Sequence, residues 1–189
     1  AIERNAMRAS IGVPKDAVLL LSVGELNANK NQEAVIRAIA GTGIYYIIAG
    51  IGKNYERLQN VAAEVGMAEY VKLLGFRTDV RELYACSDVF VIPSFREGLS
   101  VSMMEAMASG IPCVAGRIRG NVDLLPESEL LFDPHNVEEL KSAIQKALDK
   151  DIASREVARN MVNVQKFSMP EAVSAMRRIY ENAIEIATR

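Results

Sequence analysis

Two glutamates, Glu97 and Glu105, stand eight residues apart around the beginning of an apolar segment. A carboxylate accepts two hydrogen bonds, which suits the vicinal hydroxyl groups of a ribose or a hexose. If a helix begins near Leu99 or Ser100, Glu97 lies in the loop before it and Glu105 lies in its second turn. We therefore expect the two carboxylates to face one pocket from different depths.

Glu105 also has a structural interpretation. The run from Ser102 to Glu105 has the spacing of a capping box, in which Glu105 would fold back onto a helix that begins at Ser102. Leu99 and Val101 fit the apolar face of a helix that begins earlier, and this favours the pocket.

Gly98 and Lys30 are candidates for holding a phosphate. Gly98 directly precedes the predicted helix, whose first N–H groups and positive dipole end suit an anion. Lys30 lies in the polar segment 24–30 and could supply the positive charge that a diphosphate needs. A solvated lysine at a helix start is an equally open interpretation, so the arrangement of the surrounding elements matters.

Continuous apolar runs bounded by Gly, Pro or Asp predict buried parallel strands. They cover residues 18–23, 45–49, 71–74, 89–92 and 112–115, with a weaker run at 130–132. Helical periodicity lies between them at 32–40, 55–65, 80–86 and 99–108, and then at about 137–148, 152–165 and 170–187. This alternation predicts an α/β fold with a doubly wound, Rossmann-like parallel sheet of about six strands and C-terminal helices, as a single domain over 1–189.

The expected strand order also predicts where a ligand binds. In the order 3-2-1-4-5-6 the first and fourth strands are neighbours, and ligands bind beyond their carboxyl ends. The segment 24–30 should therefore face the segment 93–100, which brings Lys30 towards Glu97 and Gly98.

Composition excludes several classes of function. Of the 189 residues 50% are hydrophobic and the net charge is −2, so no positive field indicates nucleic acid. No apolar run approaches the ~20 residues that span a bilayer, and residues 1–15 lack the apolar core of a signal peptide. Cys86 and Cys113, among apolar or small neighbours, are expected to be buried free thiols in a reducing cytosol. His135, the only histidine, lies in a turn-like run and is assigned no role.

Sequence motifs narrow the choice further. The run from Gly50 to Gly52 is only G-x-G, which argues against a dinucleotide-binding enzyme. The chain contains neither a phosphate-binding G-x-x-x-x-G-K-[ST] loop nor a G-x-S-x-G nucleophile elbow.

The segment 94–114, SFREGLSVSMMEAMASGIPCV, closely resembles the signature of glycosyltransferase family 4. That signature is two glutamates eight apart, followed by Ala-Met-Ala-x-Gly-x-Pro. Further stretches agree in order at 22–26 with Lys30, 48–52, 74–80 and 84–93, so the resemblance covers nearly the whole chain. It implies the C-terminal domain of a GT-B enzyme, one half of that fold, with the N-terminal acceptor domain absent from this chain.

The resemblance also implies roles for particular residues. Glu97 would bind the hydroxyl groups of the donor sugar at the catalytic centre, and Glu105 would bind the ribose. Lys30 would contact the diphosphate. The backbone at Gly98, Leu99 and Ser100 would help to hold the diphosphate. The base would lie against the loop at Phe76 and Arg77, largely through backbone contacts, near Gly50, and Gly24 is a further substrate-binding position. Members of the family are retaining enzymes that need no metal or other cofactor, because the lysine and the helix start replace a cation.

Two departures from the family pattern concern the diphosphate. Glu25 stands where members commonly have an arginine, so either Lys30 acts with less help or Arg96 or Arg119 substitutes. The Gly-Gly turn that family members have after the fifth strand reads Ile-Arg-Gly-Asn here, at 118–121.

The resemblance implies a retaining hexosyltransferase domain that uses a nucleoside-diphosphate sugar. Uridine is the commonest base in the family, and the expected role is the synthesis of a bacterial surface polysaccharide. The acceptor glycan or lipid-linked glycan would lie on the missing domain, so we expect this chain alone to be inactive. The last helix, at about 170–186, would cross back to that domain and leave an exposed apolar face. The expected location is cytoplasmic, or peripheral on the inner membrane face in a longer protein.

Other functions remain open at this stage. A GT-B sugar-nucleotide epimerase or a phosphorylase would keep the fold, and the epimerase should present its own acid and base groups in the cleft. A non-catalytic nucleotide-sensing module would not need Glu97 beside the sugar. A structural domain without a ligand would leave Lys30 in solvent and use Glu105 as a cap.

Overall fold

The computed structural model describes residues 2–168 together with 170, 171, 173, 174, 176 and 177. Six strands form one sheet: β1 (Leu19–Val23), β2 (Tyr45–Ala49), β3 (Val71–Gly75), β4 (Val89–Ile92), β5 (Cys113–Gly116) and β6 (Leu131–Phe132). Every neighbouring pair is parallel and the order is β3-β2-β1-β4-β5-β6. The predicted fold class and strand order are confirmed.

Most of the helices lie where they were predicted, and the structure adds two. The helices are α1 (Ile2–Ser10), α2 (Gln32–Ala38), α3 (Tyr55–Glu64), α4 (Val80–Cys86), α5 (Val101–Ala108), α6 (Arg119–Leu124), α7 (Val137–Leu148) and α8 (Lys150–Gln165). The sequence did not indicate α1 or α6, nor the short 3₁₀ turn Ala28–Lys30 after β1. The last predicted helix, at about 170–187, lies largely outside the described residues, and so does the apolar face expected on it.

Both faces of the sheet are covered, which explains why the strands are apolar without alternation. On β1, Leu20 packs into a core formed with α2, α3 and α7. Leu19 and Leu21 point to the opposite face, into a core formed with α4, α5 and α6. All three leucines are fully buried. The helices therefore hold the sheet rigidly while its carboxyl edge carries the loops.

A buried ion pair attaches α1 to the sheet. The Arg8 side chain is only 2% exposed and donates to Asp88 at 2.8 Å and to the carbonyl of Cys86 at 2.9 Å. Arg4 pairs with the other carboxylate oxygen of Asp88 at 2.5 Å. Asp88 also accepts from the backbone N–H of Leu19 at 2.8 Å. These contacts fix α1 at the amino ends of β1 and β4, on the edge of the sheet away from the loops that carry Lys30 and Glu97.

The structure also answers two expectations from composition. Cys86 and Cys113 are free and buried, as predicted. Within the described part of the chain, no helix is both long enough and apolar enough to cross a membrane.

Candidate functional site

The loops that follow β1 and β4 lie against each other at the carboxyl edge of the sheet. The backbone N–H of Phe95 donates to the carbonyl of Asn29 at 2.9 Å. The side-chain amide of Asn29 donates to the carbonyl of Arg96 at 2.8 Å. The predicted contact between these two segments is therefore confirmed.

Lys30 and Glu97 meet across this junction. Lys30 Nζ lies 2.6 Å from Glu97 Oε1, and the two side chains are only 22% and 12% exposed. The interpretation of Lys30 as a solvated lysine is therefore wrong. An ammonium and a carboxylate stand together in a partly buried position just before α5, where screening by solvent is weak.

The beginning of α5 decides between the two interpretations of Glu105. Ser100 is the N-cap, and its hydroxyl accepts from the N–H of Met103 at 3.3 Å. The helix thus begins at Val101, so Glu105 is five residues beyond the cap and the capping box on Ser102 is wrong. The N–H groups of Val101 and Ser102 have no acceptor within the helix, because they belong to its first turn.

Tyr84 holds one side of the Glu105 carboxylate. Its hydroxyl lies 3.1 Å from Glu105 Oε2 and 2.9 Å from the carbonyl of Ser102. The tyrosine is 2% exposed. Burial, and after it the charge of Glu105, raise the pKa of Tyr84, so the phenol keeps its proton and can donate it. Glu105 itself is exposed, so its other oxygen is accessible.

Two adjoining cavities follow the carboxyl edge of the sheet. The first, of about 530 Å³, is lined by Thr78, Val80, Arg81, Tyr84, Glu105, Ala108 and Ser109. The second, of about 470 Å³, is lined by Val23, Gly24, Glu25, Ala49, Gly50, Ile51, Phe76, Arg77 and Val80. They meet at Val80, and we call the two together the trough. Glu105 lines the trough and Glu97 lies beside Lys30, and the expectation that both carboxylates face one ligand pocket stays a prediction.

Gly24 and Gly50 form the floor of the second cavity. A Cβ built on Gly50 would lie 1.9 Å from the carbonyl oxygen of Gly24, so any side chain there would push the ends of β1 and β2 apart. A Cβ on Gly24 would lie 3.5 Å from Lys30 Cε. The Lys30 side chain therefore lies next to Gly24, which lines the trough.

Phe76 and Arg77 form the rim of the second cavity. Phe76 is 74% exposed. The guanidinium group of Arg77 is engaged by Asp79, with contacts of 2.7 and 2.5 Å to the two carboxylate oxygens. Hydrogen bonding from Arg77 lowers the pKa of Asp79, so this pair remains ionised. The role of Arg77 in binding the base stays a prediction.

On the diphosphate side, the beginning of α6 packs against the loop before α5. A Cβ on Gly120 would lie 1.8 Å from the carbonyl oxygen of Gly98, so this position requires glycine. Gly98 and Leu99 are exposed, whereas Ser100 is buried at the helix cap. Glu25 is exposed at the edge of the trough, so this rim carries a negative charge where the family commonly has a positive one.

With this geometry established, similarity to known proteins decides the family. Residues 3–164 match the family model described as glycosyl transferases group 1. The chain belongs to this glycosyltransferase family.

Other glycosyltransferases resemble this one over most of its length. It is 30% identical over 152 residues to the lipopolysaccharide core biosynthesis glycosyltransferase LpsE of Rhizobium meliloti, covering 78% of this chain and 45% of LpsE. It is 27% identical to the D-inositol 3-phosphate glycosyltransferase of Corynebacterium aurimucosum, covering 95% of this chain and 46% of that protein. Among solved structures, HepE of Anabaena in complex with UDP superposes with a TM-score of 0.84 at 23% identity, covering 97% of this chain and 53% of HepE. The chain thus spans about half the length of these relatives, and its fold is that of a GT-B C-terminal domain.

Sequence reasoning missed one contact at the edge of this glycosyltransferase site. The ring of His135 stacks on Phe95, with centroids 4.8 Å apart and planes at 25°. His135 is itself exposed, and one face of its ring packs on the loop after β4. Among the described residues, no group of three His, Cys, Asp or Glu side chains could hold a metal ion.

Proposed function

We propose that this chain is the donor-binding domain of a retaining glycosyltransferase that transfers a hexose from UDP-sugar to a glycan or lipid-linked glycan acceptor in bacterial polysaccharide synthesis. One observation carries the proposal. Lys30 and Glu97 stand together before α5, and the same helix presents Glu105 to the trough. Charged groups for a diphosphate, a sugar and a ribose thus follow one another along a single edge of the sheet.

The nucleotide occupies the trough in this proposal. The second cavity has apolar walls, including Val23, Ile51 and the exposed ring of Phe76, which suit a base. Glu105 accepts hydrogen bonds from the ribose hydroxyls through the carboxylate oxygen that Tyr84 leaves accessible. The complex of HepE with UDP supports uridine as the base.

The diphosphate lies at the beginning of α5, between the trough and Glu97. Transfer breaks the bond between the anomeric carbon and the diphosphate oxygen and forms one from that carbon to an acceptor hydroxyl oxygen, which releases its proton, so negative charge grows on the departing UDP. The ammonium of Lys30 and the free N–H groups of Val101 and Ser102 stabilise that charge without requiring a metal ion. Glu97, 2.6 Å from Lys30, binds the hydroxyl groups of the sugar that is transferred. The role of LpsE in lipopolysaccharide synthesis supports a glycan acceptor.

Calorimetric titration with UDP and with uridine tests the proposal. Lys30→Ala should weaken UDP binding about ten- to hundredfold, because a hydrogen bond to a charged group contributes roughly 1.5–3 kcal/mol. Uridine binding should not change. Lys146→Ala, on the last turn of α7, removes the same charge far from the trough and should alter neither ligand.

Two results would contradict the assignment. Equal losses for UDP and uridine would remove Lys30 from the diphosphate site. A chain that binds neither UDP nor the corresponding diphosphates of guanosine and adenosine would have no donor site at all. Tighter binding of GDP or ADP than of UDP would keep the site and change the base.

A further inference from the structure

Three asparagines alternate through the loop that carries Lys30. Asn27 accepts from the backbone N–H of Lys30 at 3.1 Å and caps the 3₁₀ turn. The side chains of Asn29 and Asn31 bond to carbonyl groups of loops that are distant in the sequence. Each of these two residues is adjacent to Lys30, on either side of it.

Asn31 is the unusual member of the three. Its φ of 52° is left-handed, and among the described non-glycine residues only Glu127 shares a positive φ. Asparagine tolerates this conformation better than other residues with side chains. The backbone conformation at position 31 favours glycine, and Asn31 adds a side-chain amide that glycine lacks.

The side-chain amide of Asn31 joins two further loops. Its Nδ2 donates to the carbonyl of Pro93 at 3.2 Å and to that of Pro134 at 3.1 Å. An amide NH₂ has two hydrogens, so both bonds can form at once. Pro93 directly follows β4 and Pro134 follows β6, so Asn31 ties the ends of three strands together.

Asn29 makes the equivalent connection on the other side of Lys30. Its Nδ2 donates to the carbonyl of Arg96 at 2.8 Å, and its own carbonyl accepts from Phe95 at 2.9 Å. Arg96 directly precedes Glu97. The residues on both sides of Lys30 are thus bonded to the loop that carries Glu97: Asn31 by its side chain at the start of the loop, and Asn29 by its backbone and side chain just before the glutamate.

We propose that Asn29 and Asn31 are positioning residues, an asparagine tether that fixes Lys30 against Glu97 so that the diphosphate subsite is formed before the donor binds. The inference rests on the donor-binding function proposed above. A lysine side chain has much rotational freedom, and confining it only on binding would weaken affinity. Bonds that fix the backbones on both sides confine it in advance. Both amide hydrogens of Asn31 and one of Asn29 are engaged by carbonyl groups, so in this proposal the tether acts through Lys30.

The decisive variant is Asn31→Gly. Glycine adopts the same left-handed conformation without strain, so only the bonds to Pro93 and Pro134 are lost. UDP affinity should fall about two- to tenfold, the cost of confining one lysine side chain only on binding, while uridine affinity should stay the same. On a Lys30→Ala background, Asn31→Gly should have little further effect on UDP, because the tether acts through the lysine.

A control variant that is also destabilised, but away from the Lys30 loop, separates positioning from general destabilisation. Asp149 caps α8 by accepting from the N–H groups of Asp151 and Ile152, both at 3.0 Å. Asp149→Ala should lower the melting temperature, as the loss of an N-cap does, and should leave the ratio of UDP to uridine affinity unchanged.

The outcomes distinguish this inference from the function on which it rests. If the unaltered chain binds no UDP, both are overturned. If Lys30→Ala selectively weakens UDP but Asn31→Gly weakens neither ligand, or weakens both equally, only the tether is overturned. The same holds if the losses from Asn31→Gly and Lys30→Ala simply add.

Discussion

The hydrogen bond between Tyr84 and Glu105 allows the ribose assignment to be tested with a magnitude. Tyr84 engages Oε2 of Glu105 at 3.1 Å, which leaves Oε1 as the main acceptor for a ribose. Glu105→Gln keeps the length of the side chain and removes its charge. A hydrogen bond to a charged group contributes roughly 1.5–3 kcal/mol, so UDP affinity should fall roughly ten- to 150-fold.

A double-mutant cycle over protein and ligand isolates this interaction. In four titrations, the unaltered chain and Glu105→Gln are each titrated with UDP and with its 2′,3′-dideoxy analogue. Glu105→Gln should cost far less with the dideoxy analogue, since its hydroxyl partners are already gone, and the coupling should be roughly 1.5–3 kcal/mol. Tyr84→Phe is the companion variant. It keeps the ring, whose centroid lies 5.7 Å from that of Phe90, and should produce a smaller coupling because the phenol holds the carboxylate and not the ribose.

A coupling energy of zero for Glu105→Gln would remove Glu105 from the nucleotide site. A fall in melting temperature with equal losses for both ligands would show that the residue only supports α5. That outcome would disagree with the structure, in which Ser100 and not Glu105 caps α5.

Three further expectations concern other parts of the molecule. Glu97→Gln should weaken the binding of a UDP-hexose more than that of UDP, whereas equal effects on the two ligands would favour a nucleotide-sensing module over a transferase. Arg8→Ala should lower the free energy of unfolding by roughly 1–3 kcal/mol and the melting temperature by roughly 2–12 °C, because buried carbonyls lose their donor while Asp88 keeps Arg4. Arg4→Ala, which removes a 36% exposed partner of the same carboxylate, should cost about 0–1 kcal/mol, and equal melting temperatures for the two variants would show that burial does not matter here. Residues 1–189 should not transfer sugar in an assay with radiolabelled donor, since they span only about half the length of their relatives and transfer requires both reactants to be held together; turnover at ordinary enzyme rates would contradict this expectation.

The sheet was predictable from sequence because its signals are local. Each strand is a short apolar run, and right-handed crossovers then leave few possible strand orders. That order alone placed Lys30 opposite Glu97, as the 2.6 Å contact shows. The phase of Leu99 and Val101 was also enough to favour an early start for α5, within one or two residues of the observed Val101.

What sequence reasoning missed depends on contacts with no local pattern. The helix α1 is held by Arg8 and Asp88, 80 residues apart, and a polar N-terminal segment gives no sign that its arginine is buried. The bonds of Asn31 span 62 and 103 residues. Asparagine in a loop indicates a turn, and only the assembled sheet shows which carbonyls its amide reaches.

Chemical modification of the two buried thiols can report local opening of the structure. Burial raises the pKa of Cys86 and of Cys113, so both remain protonated and shielded from alkylating reagents while the structure is closed. Cys86 ends α4 beneath the arginines of α1, whereas Cys113 lies inside the sheet on β5. The rate at which each thiol is modified therefore measures a different local opening: around the end of α4 for Cys86, and around β5, between β4 and β6, for Cys113.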